Sequence, residues 1–452
     1  MNRPERPNRL EIHDNDALSA ARDLIEACAD AREMGQKIQE AVARNAAWRG
    51  EECINLLAPE APTSPTVRAL LSAEIGTRAA EGHIGKVNRW FAGTRHIDEV
   101  EALCVELLKK HFRCAYADHR LCASMIGNAV VYTALSEPGD VIMSAAQPVG
   151  GHSSNRMDGP AGAMGRKIVD IPFDPQELVV DIDLFRNIAP LVRPKLVALG
   201  LSMTLFPQPV VEMKEVIGEW GGRLFFDAAH QLGLIGGGQF QDPLREGADI
   251  MTGSAGKTFS GPQSGIIVWD DPEITRPVTT AIFPVWAATH QVNRVAALAM
   301  ATAEALAFGE KLQAQIVANA KALARHLHER GIPVLGAHKG FTTTHQAIAD
   351  VTAFGRGLKV AQTLERAHII VNKNLLPSDR KEDWDYPGGL RMGTIEVTRY
   401  GMKEVEMAKI AELIARIVVE GEEPERVRAE AVALRRSFPK LYYCFENGTP
   451  LA

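Results

Sequence analysis

Several common signals are missing from this chain of 452 residues. The six cysteines contain no pair at C-x-x-C spacing, so neither a zinc site nor a redox motif is indicated, and no metal is predicted. No apolar stretch is long enough to span a bilayer, and Met1–Asn8 has no apolar centre of the kind found in signal peptides. We therefore expect a cytoplasmic protein with reduced cysteines and no membrane partner.

A large excess of charge, internal repeats and low-complexity tracts are missing as well. The net charge of −6 argues against a protein that binds nucleic acid. Hydrophobic residues make up 46% and charged residues 23%, which is ordinary for a globular protein. The length is sufficient for two or three domains with a large core.

Between residues 100 and 270, helical patterns alternate with short β-branched runs. The predicted strands are Val141–Ser144, Lys167–Pro172, Leu196–Ser202, Arg223–Asp227, Asp249–Gly253 and Gly265–Trp269. Strands separated by helices imply right-handed crossovers and a mostly parallel central sheet flanked by helices, which is an α/β fold. Ligands of such sheets bind beyond the carboxyl ends of the strands.

Three domains are predicted along the chain. Residues 1–75 form a helical N-terminal arm, with one or two helices in Asp16–Trp48 and a new helix beginning at Ser64 and Pro65. Residues 76–308 form the large domain. Residues 309–452 form a smaller α+β domain, and the two helical patterns Asn293–Phe308 and Leu312–Arg330 lie on either side of this boundary.

Two residues at predicted strand ends point to a cofactor. One strand ends in Asp227, and the next one leads into Lys257, which a Gly-Pro turn follows. A lysine can form a Schiff base with the aldehyde of pyridoxal phosphate (PLP), and an aspartate can keep the pyridine nitrogen protonated so that the ring accepts electrons. The pair therefore predicts a PLP enzyme.

Motifs in several segments carry a family resemblance. They are Leu57–Glu60, Ala80–Gly82, Gly150–His152, Asp227–Ile235, Gly256–Pro262, Asn372–Asn374 and Gly389–Thr394. On these motifs the chain resembles the serine hydroxymethyltransferase family of fold-type I PLP enzymes. The segments Gly340–Gln346 and Gly261–Gly265 are also similar to the threonine transaldolase branch, which makes β-hydroxy amino acids without folate.

The resemblance implies a role for each matching residue and a homodimer or homotetramer with active sites shared between subunits. The implied catalytic residues are Lys257, Glu81 and His152. The implied cofactor-binding residues are Lys257, Asp227, His230, His152, Ser202 and Ser124. The implied substrate-binding residues are Arg391 for the carboxylate, Glu81 for the hydroxyl and Asn374 for the folate.

Four positions depart from the family pattern. Cys122-Ala123-Ser124 replaces a phosphate-binding Ser-Gly-Ser turn, so only Ser124 offers a hydroxyl there. Gly256 stands where the family has a histidine, and Ala79 and Phe91 stand at two tyrosine positions. Small residues at positions 79 and 256 are expected to open space near the cofactor for a bulkier amino acid.

The sequence supports three functional interpretations. The first is PLP-dependent cleavage or formation of the Cα–Cβ bond of a β-hydroxy amino acid, with tetrahydrofolate as carrier and an α-substituted or bulky substrate such as α-methylserine. The second is a folate-independent threonine transaldolase or aldolase. The third, from another class, is a homologue that binds PLP without catalysis, which the weakened phosphate-binding turn favours.

Overall fold

The computed structural model describes residues 14–450, so the polar segment Met1–Asn8 lies outside the described residues. The chain divides into two compact units, one ending at Cys53 and the other beginning at Ile54. The first unit contains helices α1 (Asn15–Glu26) and α2 (Ala31–Ala47), so Asp16–Trp48 forms two helices. The helices begin at Asp14 and Asp30, whose carboxylates accept hydrogen bonds from first-turn N–H groups.

The second unit contains the strands of all sheets in the described part of the chain. They are β1 (Ile54–Asn55), β2 (Tyr116–Asp118), β3 (Val141–Ser144), β4 (Lys167–Asp170), β5 (Phe173–Asp174), β6 (Val179–Val180), β7 (Leu196–Leu199), β8 (Arg223–Asp227), β9 (Ile250–Ser254), β10 (Gly265–Trp269), β11 (Gln346–Asp350), β12 (Ile369–Ile370), β13 (Asn372–Asn374) and β14 (Gly389–Gly393).

The α-helices of the second unit follow the same chain order. They are α3 (Pro65–Leu71), α4 (Arg95–Phe112), α5 (Ser124–Leu135), α6 (Pro160–Ala163), α7 (Ile182–Val192), α8 (Val210–Gly218), α9 (Leu232–Gly236), α10 (Thr275–Thr280), α11 (Val292–Glu329), α12 (Arg356–Arg366), α13 (Ile395–Arg399), α14 (Glu404–Val418) and α15 (Pro424–Arg436).

A seven-stranded sheet forms the centre of the large domain, in the order β2-β10-β9-β8-β7-β3-β4. The ladders from β4 to β9 are parallel, and β10 runs antiparallel to both β9 and β2. Every residue of β7, β9 and β10 is buried, which explains why β7 and β10 are continuous apolar runs in the sequence. The predicted α/β fold with a mostly parallel sheet is confirmed.

The C-terminal part of the chain has the predicted α+β character. Strands β11, β14 and β13 form an antiparallel sheet, and β1 pairs with β12. Buried apolar side chains of α12, α14 and α15 pack with this sheet in a second core. Strand β14 carries Arg391, whose Cα lies opposite Asn372 of β13 in the register.

One helix prediction is wrong in its division. The patterns Asn293–Phe308 and Leu312–Arg330 form the single 38-residue helix α11. Glycine in a helix interior costs only about 1 kcal/mol, so Gly309 does not end the helix when both flanks are buried. The predicted domain boundary at residue 308 therefore falls inside α11. Across residues 14–450, no helix combines the length and apolar character needed to cross a bilayer.

Candidate active site

The candidate active site is a cavity at the carboxyl ends of the central strands, as parallel sheets predict. The turn after β7, the end of β8 and the segment after β9 meet there. The lining residues are Ser124, His152, Gly200, Leu201, Ser202, Asp227, Ala229, His230 and Lys257. Six sequence-predicted site residues therefore come together, although they are spread over more than 130 positions of the chain.

Asp227 is held at the end of β8 by three hydrogen bonds. Asn128 Nδ2 and Asn155 Nδ2 donate to Oδ2 at 2.7 and 3.1 Å, and the Ala229 backbone N–H donates to Oδ1 at 3.1 Å. The side chain is buried, and hydrogen bonds to a charged group each contribute about 1.5–3 kcal/mol. The carboxylate is thus fixed in position.

The amine of Lys257 lies in the same cavity and is easier to deprotonate than an ordinary lysine. The pKa of Lys257 is lowered to about 8, mainly by burial; the negative charge of Asp227 opposes this effect, and the positive charge of Arg391 adds to it. A neutral amine is the form that attacks a carbonyl carbon. Near pH 8 a substantial fraction of Lys257 is therefore in the nucleophilic form.

Two histidines flank the cavity. Nδ1 of His152 accepts a hydrogen bond from the Ser154 backbone N–H at 3.2 Å, so the proton of the neutral ring is on Nε2. His230 is buried and stacks on His345 with ring centroids 5.6 Å apart. Burial, followed by the positive charges of Lys257 and Arg391, holds the pKa of His230 well below its usual value, so the ring is neutral.

Arg391 supplies a buried positive charge. Its Nη1 donates to the Ser202 carbonyl at 2.7 Å and its Nε to Asn372 Oδ1 at 3.2 Å. Burial lowers its pKa to about 10. No carboxylate within residues 14–450 pairs with this guanidinium, so the site offers a charged fork for an anionic group from outside.

The N-terminus of α5 faces the cavity through Ser124. The helix is twelve residues long, and its N-cap Ala123 makes no side-chain hydrogen bond to the first turn. The first-turn N–H groups of such a helix favour an anion. Ser124 is therefore placed where a phosphate group of a bound cofactor would be held, in spite of the altered turn before it.

Three sequence-predicted residues are not among those that line the cavity. Arg391 borders it through its hydrogen bond to the Ser202 carbonyl, whereas Glu81 and Asn374 lie elsewhere. Glu81 lies in the loop between α3 and α4, where Thr289 donates its hydroxyl hydrogen to the Glu81 carboxylate. Asn374 lies at the end of β13, and its Nδ2 donates to the Leu375 carbonyl at 2.6 Å. Within one subunit, neither side chain lies among the residues around Lys257.

The expected open space beside Gly256 is not there. A Cβ atom on Gly256 would lie 2.6 Å from Nε2 of Gln263, so the amide of Gln263 fills the volume that a side chain at 256 would need. Ala79 is exposed and is not among the residues that line the cavity. The expectation that these two small residues enlarge the site is therefore wrong for Gly256.

Several residues around the site were not singled out from the sequence. They are Asn128, Asn155, Ser154, His345 and Gln346. Asn128 is the only amide side chain in α5, and this is the signal in the sequence that could have identified it. Gln346 contacts both the Ser202 carbonyl and His230, at 3.0 and 3.3 Å.

Comparison with known proteins agrees with this geometry. The family model for serine hydroxymethyltransferase matches residues 32–414. The chain belongs to the serine hydroxymethyltransferase family. It is a PLP-dependent enzyme of the transferase or aldolase type, and the predicted family resemblance is confirmed.

Family members from archaea are well matched in sequence. A serine hydroxymethyltransferase of Korarchaeum cryptofilum is 43% identical over 410 residues, which cover 88% of this chain and 94% of the relative. That of Methanothermobacter thermautotrophicus is 42% identical, covering 91% and 96%. Among solved structures, L-threonine transaldolase from Pseudomonas fluorescens superposes with a TM-score of 0.84 at 27% identity, covering 95% and 96%.

The residues of the cavity fit the cofactor that this family uses. An amine with a lowered pKa, a fixed carboxylate and a helix N-terminus correspond to the aldehyde, the pyridine nitrogen and the phosphate of PLP. The backbone at Gly200 passes close to Asp227, because a Cβ atom on Gly200 would lie only 2.5 Å from the Cβ of Asp227. The absence of a side chain at Gly200 leaves room for Asp227.

Proposed function

We propose that the protein cleaves and forms the Cα–Cβ bond of β-hydroxy amino acids, with hydroxymethyl transfer to tetrahydrofolate as the first candidate reaction. The observation that supports this most is the buried, carboxylate-free Arg391 next to the cavity that holds Lys257 and Asp227. A guanidinium fork takes an amino acid carboxylate by two parallel hydrogen bonds. Such a contact would fix the orientation of the Cα bonds relative to the site.

In this proposal each of the predicted side chains has a stated role. Lys257 holds the cofactor and exchanges protons at Cα, Asp227 keeps the pyridine nitrogen protonated, and His152 packs against the ring. Bound PLP supplies an electron sink for charge that develops at Cα. His230 and Ser202 contact the cofactor as neutral groups, Ser124 contributes to the phosphate end, and Glu81 moves the proton of the substrate hydroxyl.

Sequence similarity favours the folate-linked reaction. Identity to the archaeal hydroxymethyltransferases is above 40%, whereas identity to the transaldolase structure is 27%. Asn374 stands at the family's folate position. Its Nδ2 is engaged by Leu375 and Met203, whereas its Oδ1 accepts no hydrogen bond from residues 14–450. An α-substituted substrate such as α-methylserine stays a hypothesis, now without support from Gly256.

Folate-independent transaldolase or aldolase activity is the second candidate. The structural likeness to L-threonine transaldolase over 95% of the chain favours it. The positions Ala79 and Phe91 also lack the hydroxyl groups that tyrosines would supply for proton transfer, and one such group contributes on the order of 10²–10⁴ in rate. A non-catalytic role is not supported by the comparisons.

A substrate screen separates the candidates. Purified enzyme is incubated with serine, α-methylserine or threonine, each with and without tetrahydrofolate, and the amino acid products are measured by chromatography. Glycine from serine, or alanine from α-methylserine, only with tetrahydrofolate supports hydroxymethyl transfer. Exchange of the threonine side chain for an added aldehyde without folate supports the transaldolase. Lys257→Ala should abolish both reactions, and activity retained in that variant would contradict the proposed function.

A further inference from the structure

A second cluster of chemistry-bearing side chains lies apart from the residues that line the Lys257 cavity. Glu101 of α4, His119 just after β2 and His290 just before α11 are all buried. One ligand atom from each lies within 4.8 Å of the other two. This set, here called the Glu101 cluster, has no part in the proposed reaction.

Hydrogen bonding inside the protein leaves the Glu101 cluster incompletely satisfied. Neither ring nitrogen of His119 has a hydrogen-bond partner within residues 14–450, and the same holds for Nδ1 of His290. His119 Nε2 lies 3.4 Å from Glu101 Oε2, and His290 Nε2 contacts Glu101 Oε1. A buried polar atom without a hydrogen-bond partner costs about 1–3 kcal/mol. A bound ion would remove this cost by coordinating a ring nitrogen of His119.

The guanidinium of Arg89 orients the carboxylate of Glu101. Arg89 donates from Nη2 to Glu101, from Nε to Asp98 at 2.7 Å and from Nη1 to the Ala80 carbonyl at 2.8 Å. Outer hydrogen bonds of this kind commonly hold the carboxylate ligands of metal ions.

We propose that Glu101, His119 and His290 form a binding site for one divalent first-row transition ion, with Zn²⁺ as the expected occupant. Two imidazole nitrogens and one carboxylate oxygen are a common zinc ligand set, whereas Mg²⁺ and Ca²⁺ prefer oxygen ligands alone. Ligand atoms of a tetrahedral zinc site are about 3.3 Å apart, so small side-chain rotations would close the cluster. His290 would carry its proton on Nδ1 and coordinate through Nε2.

The fourth coordination position would face an open cavity. Glu101 and His119 line this cavity together with Gly82, His83 and Arg120. Arg120 also donates a hydrogen bond to the Gly82 carbonyl at 3.1 Å, and Arg89 donates one to the Ala80 carbonyl at 2.8 Å. The ion would therefore join α4, the end of β2 and the segment before α11, next to the loop that carries Glu81.

Metal titration of the full-length protein tests the site directly. Enzyme purified with its cofactor is treated with EDTA, passed into chelator-free buffer and titrated with CoCl₂, and the visible absorbance of bound Co²⁺ is recorded. ZnCl₂ is then added in a thermal unfolding experiment, because an ion that binds only the folded state raises Tm with concentration. We expect one Co²⁺ per chain and a zinc-dependent rise in Tm.

Variants identify the ligands. His119→Ala and His290→Ala should weaken Co²⁺ binding at least 100-fold and abolish the zinc-dependent Tm rise. His119→Gln tests the same ligand with a smaller change in volume. His96→Ala is the matched control, because His96 is an exposed histidine that faces Glu99 on the same helix, and it should bind Co²⁺ like the wild type.

Three experimental results would contradict the proposed metal site. One is a wild-type protein that shows no Co²⁺ spectrum and no zinc-dependent Tm rise, a result that does not require any variant to fold. Another is binding that persists in His119→Ala or His119→Gln. A third is binding that is lost in Cys122→Ser instead, since Cys122 is an exposed thiol and a competing ligand. None of these readouts depends on the proposed enzymatic activity.

Discussion

At the residue scale, charges around Lys257 set the pH at which its amine becomes reactive. The pKa of about 8 means that the neutral fraction falls roughly tenfold for each pH unit below this value. We expect the rate at which the apoenzyme captures added PLP to rise with pH and to level off above pH 8. Stopped-flow absorbance between pH 6 and 10 measures this profile.

Two variants test the electrostatic origin of the Lys257 profile. Arg391→Met removes a positive charge that lowers the pKa of Lys257, so the midpoint of the profile should move to higher pH. Asp227→Asn removes a negative charge that raises this pKa, so the midpoint should move to lower pH. Shifts in the same direction for both variants would contradict the assignment of the titration to Lys257.

Arg391 is expected to act on substrate affinity. Arg391→Lys keeps the positive charge but loses the planar fork, so KM for the amino acid should rise about 10²-fold, the loss of about one charge-assisted hydrogen bond. PLP content, read from visible absorbance, should remain near that of the wild type. Steady-state kinetics measure KM. Arg325→Lys, an exposed exchange of the same type, should leave KM unchanged, and an unchanged KM in Arg391→Lys would contradict the role in carboxylate binding.

At the element scale, the end of β7 must pass very close to the end of β8. In Gly200→Ala the new Cβ would lie 2.5 Å from Asp227 Cβ and 3.1 Å from Asn155 Nδ2. We expect a loss of about 1–3 kcal/mol in the free energy of unfolding together with weaker PLP binding. Urea unfolding and PLP titration measure the two effects.

A second glycine provides the control for this prediction. Gly218, the last residue of α8, has open space where a Cβ atom would lie, with no neighbouring atom within 4 Å, and its φ is not positive. Gly218→Ala should therefore change the free energy of unfolding by no more than about 1 kcal/mol, in the stabilising direction, without an effect on PLP binding. Equal effects of the two substitutions would show that close packing at Gly200 is not the cause.

At the scale of the whole molecule, the site is proposed to be shared between the subunits of a homodimer or homotetramer. Lys257 lies in the cavity, whereas Glu81 does not line it within one subunit. Lys257→Ala and Glu81→Gln are each expected to be inactive alone. When the two variants are unfolded together and refolded, half of the dimers are mixed and each mixed dimer has one intact site, so about a quarter of wild-type activity should return.

The outcome of mixing distinguishes two arrangements. If Lys257 and Glu81 of the same subunit build each site, no mixed dimer contains an intact site, and activity stays near zero. Refolded wild-type enzyme treated in the same way corrects for losses during refolding. Light scattering on the wild type separately measures the number of subunits.

Much of the fold was predictable because the central strands are buried on both faces. Apolar runs such as Val141–Ser144 and Gly265–Trp269 coincide with β3 and β10 residue for residue. The single helix α11 was not predictable from its two patterns, because burial of both halves overrides the local cost of Gly309. Helix propensity is a weak predictor of where a helix ends when tertiary packing stabilises the residues on both sides.

The chemistry of the strand ends follows from the order of residues along the chain. Asp227 and Lys257 follow apolar runs in a βαβ order, and the carboxyl ends of neighbouring parallel strands meet at one edge of a sheet. The surroundings of Asp227 and Lys257, in contrast, depend on the packing of distant segments. Asn128 and Asn155 reach Asp227 across 99 and 72 residues of chain, and His290 reaches Glu101 across 189. Contacts of this kind depend on how elements pack, and spacing along the chain carries no record of that packing.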